Sequence, residues 1–98
     1  MPESALDLRR RKLTFHAWHR GIREMDLLFG RFVDAHIRTM SDRELDEIEA
    51  LMRLPDQELL KWIDGREAAP DNQNHALIER IRAYSTANPV TSDSSTAH

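Results

Sequence analysis

Apolar residues recur along most of this chain at intervals of three and four positions, the spacing that places side chains on one face of an α-helix. The clearest run contains Met25, Leu28, Phe29, Phe32 and Val33. No segment alternates between apolar and polar residues as a half-buried strand does. The chain has only three glycines and four prolines in 98 residues, too few for a turn-rich β-sandwich or barrel. The sequence therefore predicts an all-α fold.

Breaks in this spacing divide the first half of the chain into three predicted helices. The first spans residues 4–19, and Gly21 forms the corner that leads into the second. Gly30 lies inside the second helix, which favours close packing against another helix at that position. Ser41 and Glu44 have the spacing of a capping box, which starts the third helix. The apolar stripe predicted for the first helix consists of Leu8, Phe15, Trp18 and Ile22.

The second half of the chain supplies two more helices and a tail. Pro55 favours the start of the fourth helix, and Gly65 favours its end. A fifth helix is predicted from about residue 74 to 84. Residues 85–98 are rich in serine and threonine and are expected to form a disordered tail. The prediction is a small five-helix bundle, a single domain over residues 1–84 followed by that tail.

The composition excludes several classes of protein. Because cysteine is absent, there is no disulfide framework, no thiolate zinc site and no cysteine nucleophile. No apolar run approaches the ~18 residues that a membrane-spanning helix needs. The beginning of the chain also lacks the apolar segment of a signal peptide. The expectation is a cytoplasmic protein that does not insert into a membrane.

Charge is distributed unevenly along the chain. Residues 1–23 carry six basic and two acidic side chains, whereas residues 24–98 carry eight basic and fifteen acidic ones. The basic cluster of the first helix could contact phosphates or an acidic protein surface, or form a solvated face. The overall acidity and the lack of interleaved aromatic residues argue against nucleic acid as the partner. That cluster consists of Arg9, Arg10, Arg11 and Lys12. The acidic outer face of the third helix is expected to aid solubility or to steer a basic protein. That face consists of Asp42, Glu44, Asp46, Glu47 and Glu49.

The segment Arg20-Gly21-Ile22-Arg23-Glu24 is the sharpest candidate for a binding site. Arginine can form paired hydrogen bonds with a carboxylate or a phosphate, and glutamate can accept hydrogen bonds from a partner. Gly21 would let another backbone approach closely. The alternative is that Gly21 only turns the chain while Arg20 and Glu24 pair with each other at the surface.

The other candidates have ordinary structural explanations. Trp18 and Trp62 are expected in the core or at its edge, and either could instead serve a partner interface, where aromatic residues are enriched. His16 and His19 lie three positions apart, but no carboxylate or cysteine completes a metal site beside them. No glycine-rich phosphate loop, nucleophile elbow or marked pair of carboxylates is present. The sequence therefore predicts a protein that is not an enzyme and that binds no metal.

The segment from Arg20 to Asp26 resembles the Arg-Gly-x-x-Glu signature of the succinate dehydrogenase assembly factors, the flavinators of bacteria and mitochondria. Three further segments resemble the same family in the same order. They are Trp18-His19-Arg20-Gly21 at the end of the basic first helix, Leu45 to Leu51 in the third helix, and Asp56 to Gly65, which has the pattern Asp-x-x-Leu-x-x-Trp-Ile-x-Gly. The resemblance covers roughly residues 8–84.

The resemblance implies a five-helix assembly chaperone that promotes covalent attachment of FAD to the apo-flavoprotein subunit of succinate dehydrogenase. Some members of the family also serve fumarate reductase. The chaperone itself is expected to hold no cofactor tightly, because FAD is attached to the client. The predicted partner-binding residues are Arg9, Arg10, Arg11, Trp18, Arg20, Gly21, Arg23 and Glu24. The rival interpretation is a protein-binding regulatory module of antitoxin type, and a helical nucleic-acid binder that uses the basic cluster is a third.

Overall fold

Five α-helices and one 3₁₀ turn account for most of residues 4–89, the part of the chain that the computed structural model describes. α1 packs mainly against α2, α3 contacts α1, and α5 packs against α2 and α4. This architecture confirms the predicted all-α, five-helix fold. None of the helices in this range is long and apolar enough to cross a membrane. The helices are α1 (Ala5–Trp18), α2 (Arg23–His36), α3 (Asp42–Met52), α4 (Asp56–Ile63) and α5 (His75–Ala87), with the 3₁₀ turn Ile37–Thr39 after α2.

Side chains just before α1 and α3 cap the first turns of these helices. The capping box predicted for α3 is confirmed: the Glu44 N–H donates to the Ser41 hydroxyl at 3.2 Å, and the Ser41 N–H donates to the Glu44 carboxylate at 3.0 Å. At the start of α1, the Asp7 N–H donates to the Ser4 hydroxyl at 3.0 Å. Each such cap stabilises its helix by about 1 kcal/mol, because it satisfies an amide that has no partner within the helix.

All five helices contribute apolar side chains to one core. The α2 residues predicted from the periodicity supply its centre, since Met25, Phe29 and Val33 have no exposed surface. Trp62 of α4 is only 6% exposed, so this tryptophan belongs to the core and not to a partner surface. Burial of one large apolar side chain contributes about 1.5–3 kcal/mol, so the α2 stripe is a main source of stability.

The Trp18 side chain of α1 packs directly over Gly30 of α2. A Cβ atom added at Gly30 would lie 2.3 Å from the Trp18 indole ring, which is closer than any real packing distance. The Trp18 indole N–H also donates to the Asp34 carboxylate at 3.1 Å. The predicted role of Gly30 in close helix packing is confirmed, and Trp18 is half-buried at the edge of the core.

The apolar stripe predicted for α1 is wrong for three of its four residues. Leu8, Phe15 and Ile22 are 37%, 58% and 37% exposed, whereas Leu13 and Ala17 are buried. α1 carries apolar residues on two opposite faces, and periodicity alone cannot decide which face packs inward. Leu13 and Ala17 are the residues that α1 turns toward the core, and Leu8 and Phe15 lie on the opposite, exposed face.

α5 ends three residues beyond the predicted boundary. Residues 85–87 are helical and not part of a tail. The end comes at Asn88, whose N–H donates to the Tyr84 carbonyl at 2.9 Å, and Pro89 follows. Proline is common just beyond a helix because it cannot continue the hydrogen-bonding pattern. The rest of the predicted tail, residues 90–98, lies outside the described residues.

Candidate functional site

At the corner between α1 and α2, four residues of the Arg20–Glu24 segment are exposed. Gly21 has a φ of +98°, a conformation that side-chain-bearing residues rarely adopt, so the predicted turn at this glycine is confirmed. A Cβ atom built on Gly21 would meet no atom within 4 Å, so the backbone here faces open space. Ile22, Arg23 and Glu24 are also exposed. These four residues form what is hereafter called the corner surface.

Arg20 points the other way. Its side chain is only 10% exposed, and its guanidinium forms an ion pair with Asp56 in which Nε donates to the carboxylate at 2.8 Å. The same guanidinium donates to the carbonyls of Met52 at 2.5 Å and Leu54 at 3.3 Å. Its central carbon lies 5.2 Å from the centre of the Phe29 ring, within the range of a cation–π contact. Arg20 therefore ties the α1–α2 corner to the connection between α3 and α4.

These contacts exclude one of the two interpretations of Arg20. A surface pair with Glu24 was one of them, but the carboxylate partner of Arg20 is Asp56, 36 positions further along the chain. The Arg20 N–H also donates to the Asp26 carboxylate at 2.5 Å, which fixes the backbone next to Gly21. The Arg20 guanidinium is engaged within the chain, and the contact between Arg20 and a partner stays a prediction.

Sequence reasoning missed Asp56 and Asp26 as components of the site. From the sequence alone, each is a carboxylate in the first turn of a predicted helix, where it favours the helix dipole. One signal was available for Asp56, since it opens the Asp-x-x-Leu-x-x-Trp segment that resembles the flavinators. The pairing with Arg20 depends on where α4 lies in the fold, which no local pattern reveals.

In the basic cluster of α1, Arg9 and Arg10 also bind groups within the chain. The Arg9 guanidinium donates to both carboxylate oxygens of Glu49, at 3.0 and 2.8 Å, and also forms an ion pair with Asp46. Arg10 donates to the Met40 carbonyl at 3.1 Å. Arg11 and Lys12 are exposed. The acidic face of α3 thus binds arginines of this chain, including Arg80 of α5, which lies 3.3 Å from Glu44. Its predicted role in solubility or steering stays a prediction.

A groove of about 660 Å³ runs between α1 and the α3–α4 connection, next to Arg20. Basic side chains of α1 line one wall, among them Lys12, His16 and His19. Among residues 4–89, no group of three or more histidine, aspartate or glutamate side chains could hold a metal ion. Both histidines contact Phe15, which stacks on His19 with ring centres 4.0 Å apart and meets His16 edge-on at 5.8 Å.

The Arg9–Glu49 contact predicts a change of stability with pH. The hydrogen bond from Arg9 lowers the pKa of Glu49. Ionised Glu49 therefore stabilises the fold above the ordinary glutamate pKa of about 4.3, and this contribution disappears as the pH falls through the folded-state value. We expect Arg9→Gln to lower the melting temperature at pH 7 and to change it less in strong acid, and to raise the Glu49 pKa in an NMR titration.

Arg43→Gln is the matched control for that experiment. Arg43 is 89% exposed and lies 3.7 Å from Glu47, so its removal should change the melting temperature little at either pH. An equal loss for Arg9→Gln at both pH values would contradict the proposed coupling, because a contact that depends on an ionised carboxylate must weaken when the carboxylate is protonated.

A family model described as the flavinator of succinate dehydrogenase matches residues 11–85 of this chain. That range extends from α1 to α5 and includes the corner surface, Arg20 and Asp56. The chain belongs to this family. The resemblance found in the sequence is therefore confirmed, and the match covers both sides of the Arg20 contact.

Relatives of the family occur in bacteria and in mitochondria. The chain is 40% identical over 79 residues to the FAD assembly factor SdhE of Acetobacter pasteurianus, covering 81% of this chain and 72% of the relative. It is 32% identical over 77 residues to the FAD assembly factor SdhE of Haemophilus ducreyi, covering 79% and 93%. It is 37% identical over 85 residues to the mitochondrial succinate dehydrogenase assembly factor 2 of Candida glabrata, covering 83% and 56%, so it spans little more than half of that relative. No solved structure matches the chain.

Proposed function

We propose that this protein is an assembly factor that binds the apo-flavoprotein subunit of succinate dehydrogenase and promotes covalent attachment of FAD to it. The observation that carries the proposal is the flavinator family match over residues 11–85. The relatives named as FAD assembly factors, at 40% and 32% identity, support the same function. In this role the chain acts as a chaperone and not as an enzyme.

The corner surface is the proposed contact with the flavoprotein. Gly21 supports this role because its backbone faces open space, which lets another chain approach closely. The exposed charges of Arg23 and Glu24 can form directional contacts beside it. Arg20 would act mainly by holding the corner in place and not by touching the client, since its bonds to Asp56 and Asp26 set the direction in which the corner projects. The other predicted partner-binding residues, Arg9, Arg10, Arg11 and Trp18, lie on α1, which leads into the corner.

A binding mechanism is sufficient for this function. Covalent attachment requires a side chain of the flavoprotein to be held against the reactive carbon of the flavin, so orientation is the main requirement. A chaperone that binds one arrangement of the client's domains more tightly than the others raises the population of that arrangement. The chaperone need not donate or remove a proton itself.

The proposal extends to the cofactor, to a second client and to the location of the protein. The chain holds no FAD tightly by itself, because its sequence has no glycine-rich phosphate-binding loop; saturable, stoichiometric binding in a titration with FAD would contradict this. Fumarate reductase is a second client. The protein works in the bacterial cytoplasm, as suggested by its similarity to two bacterial FAD assembly factors.

In-gel flavin fluorescence of the succinate dehydrogenase flavoprotein tests the proposal. In a strain from which this gene is deleted, we expect the covalent-flavin band to be lost and the wild-type gene to restore it. Gly21→Arg and Glu24→Lys should fail to restore it, because the first strains the backbone and places a long side chain where the client approaches, and the second reverses a contact charge. An unchanged band in the deletion strain would contradict the proposed function.

Asp42→Lys is the control for Glu24→Lys. Asp42 is an exposed carboxylate in the first turn of α3, as Glu24 is in the first turn of α2. Both substitutions place a positive charge near a helix N-terminus, and each should lower the stability of its helix by about 0.3–1 kcal/mol. If Asp42→Lys restores the band while Glu24→Lys does not, the loss is specific to the corner. Equal restoration by both would exclude Glu24 from the interface.

A further inference from the structure

One face of α1 combines apolar and basic side chains that are exposed, and two of them, Lys12 and His19, also border the groove beside the α3–α4 connection. Leu8, Lys12, Phe15 and His19 follow one another at intervals of four and three positions, so they lie on one side of the helix. All four are exposed, with Phe15 the most exposed large apolar side chain at 58%. This set is hereafter called the outer face of α1. It lies opposite the buried residues Leu13 and Ala17.

The exposed large apolar side chains of the described residues lie on α1 and at the corner that follows it. They are Leu8, Phe15 and Ile22, and no other helix contributes one. Ile22 belongs to the corner surface, so the outer face leads along the chain directly into the proposed contact with the flavoprotein. Phe15 contributes little to the core beyond its stacking on His19, whereas aromatic side chains are enriched among the residues that dominate binding.

The charge around these apolar side chains restricts the partner. Residues 8–22 contain no aspartate or glutamate, and the exposed Lys12 lies between Leu8 and Phe15 along the helix. A second copy of this chain, packed face to face on the same surface, would bring Lys12 side chains of equal charge together. A surface that is apolar at its centre and acidic at its rim would be complementary to the outer face.

We propose that Phe15 is an anchor for the flavoprotein client and inserts into an apolar depression that is bordered by carboxylates. This inference rests on the proposed function and extends the interface from the corner surface along α1. Phe15 supplies the buried apolar contact, and Lys12 supplies the charge that orients the approach. Phe15 was not among the partner-binding residues predicted from the sequence, whereas Lys12 belongs to the basic cluster for which contact with an acidic protein surface was one interpretation.

Binding of the full chain to the recombinant apo-flavoprotein subunit of succinate dehydrogenase, measured by calorimetry, tests the inference. We expect Phe15→Ala to weaken binding about tenfold or more, the effect of truncating an aromatic anchor. Phe15→Leu should retain most of the affinity. Lys12→Glu should weaken binding, with a smaller effect at high salt, because the contact is partly electrostatic. The melting temperature of each variant should stay near that of the wild type, since both side chains are exposed in the free chain.

Arg43→Glu is the control for Lys12→Glu, because Arg43 is an exposed cation on α3. Wild-type affinity for Phe15→Ala would overturn the inference and leave the proposed function standing. Failure of the wild-type chain to bind the flavoprotein would overturn both. A dimer of this chain that Phe15→Ala dissociates, or sedimentation with anionic lipid vesicles that depends on Phe15, together with unchanged client binding, would assign the outer face to a different occupant and also overturn the inference.

Discussion

Arg20→Ala is expected to lower the free energy of unfolding by about 3 kcal/mol or more, which is a large part of the total stability of a domain of this size. The Arg20 and Asp56 side chains are 10% and 16% exposed, so the substitution leaves a nearly buried carboxylate without its partner. It also removes the donors that reach the Met52 and Leu54 carbonyls. Thermal or urea unfolding followed by circular dichroism measures the loss.

Arg23→Ala provides the matched control, because Arg23 is an exposed arginine three positions away on the same corner. Its removal should change the free energy of unfolding by no more than about 0.5 kcal/mol. Arg20→Lys should remain unstable, since an ammonium group cannot form the several forked hydrogen bonds that the guanidinium makes. A double-mutant cycle with Asp56→Ala should show strong coupling. A stable Arg20→Ala variant would mean that the ion pair does not hold the corner in place.

The position of Arg20 changes how loss of function at this corner should be interpreted. A variant of Arg20 that fails to support flavin attachment can fail because the corner is no longer held, without any lost contact to the client. Arg23 and Glu24 face outward, so their variants report on the interface more directly, whereas any side chain at Gly21 also strains a backbone whose φ is +98°. Stability measurements on the same variants separate the two causes.

The sequence was most informative where the deciding interactions are local. The capping box of Ser41 and Glu44 joins residues three positions apart, and the turn at Gly21 depends on the freedom of one residue. The apolar stripe of α2 was also predicted correctly, because that helix has one dominant apolar face. These features needed no knowledge of how the helices pack together.

The predictions failed or were incomplete where the answer depends on tertiary packing. α1 has two apolar faces, and the position of α2 determines that Ala17 is buried while Phe15 is not. Arg9 and Arg20 were interpreted as surface charges, yet each binds carboxylates that lie 36 to 40 positions away. Long-range ion pairs leave no periodic trace in a sequence, so the sequence does not reveal that Arg9 is engaged within the chain.

Gly30→Ala is expected to destabilise the protein, although the same change normally stabilises a helix. Alanine in place of glycine inside a helix gains up to about 1 kcal/mol from backbone propensity. At Gly30 the new Cβ would lie 2.3–2.7 Å from three atoms of the Trp18 ring, so the ring or the whole of α1 must move. Overpacking of this kind costs about 1–3 kcal/mol, which outweighs the gain in propensity. Thermal unfolding of the variant measures the balance between the two.

Two further variants show whether the Trp18 ring is the cause. Ala35→Gly makes the reverse change at an exposed position of the same helix, and should cost only the propensity difference of about 1 kcal/mol. Trp18→Ala on its own should destabilise, because it removes the indole that packs over Gly30 and donates to Asp34. In the Trp18→Ala background, however, Gly30→Ala should become stabilising, since the methyl group then enters vacated space. If Gly30→Ala stabilises the chain with Trp18 intact, α1 and α2 do not approach each other as closely as the Trp18–Gly30 contact requires.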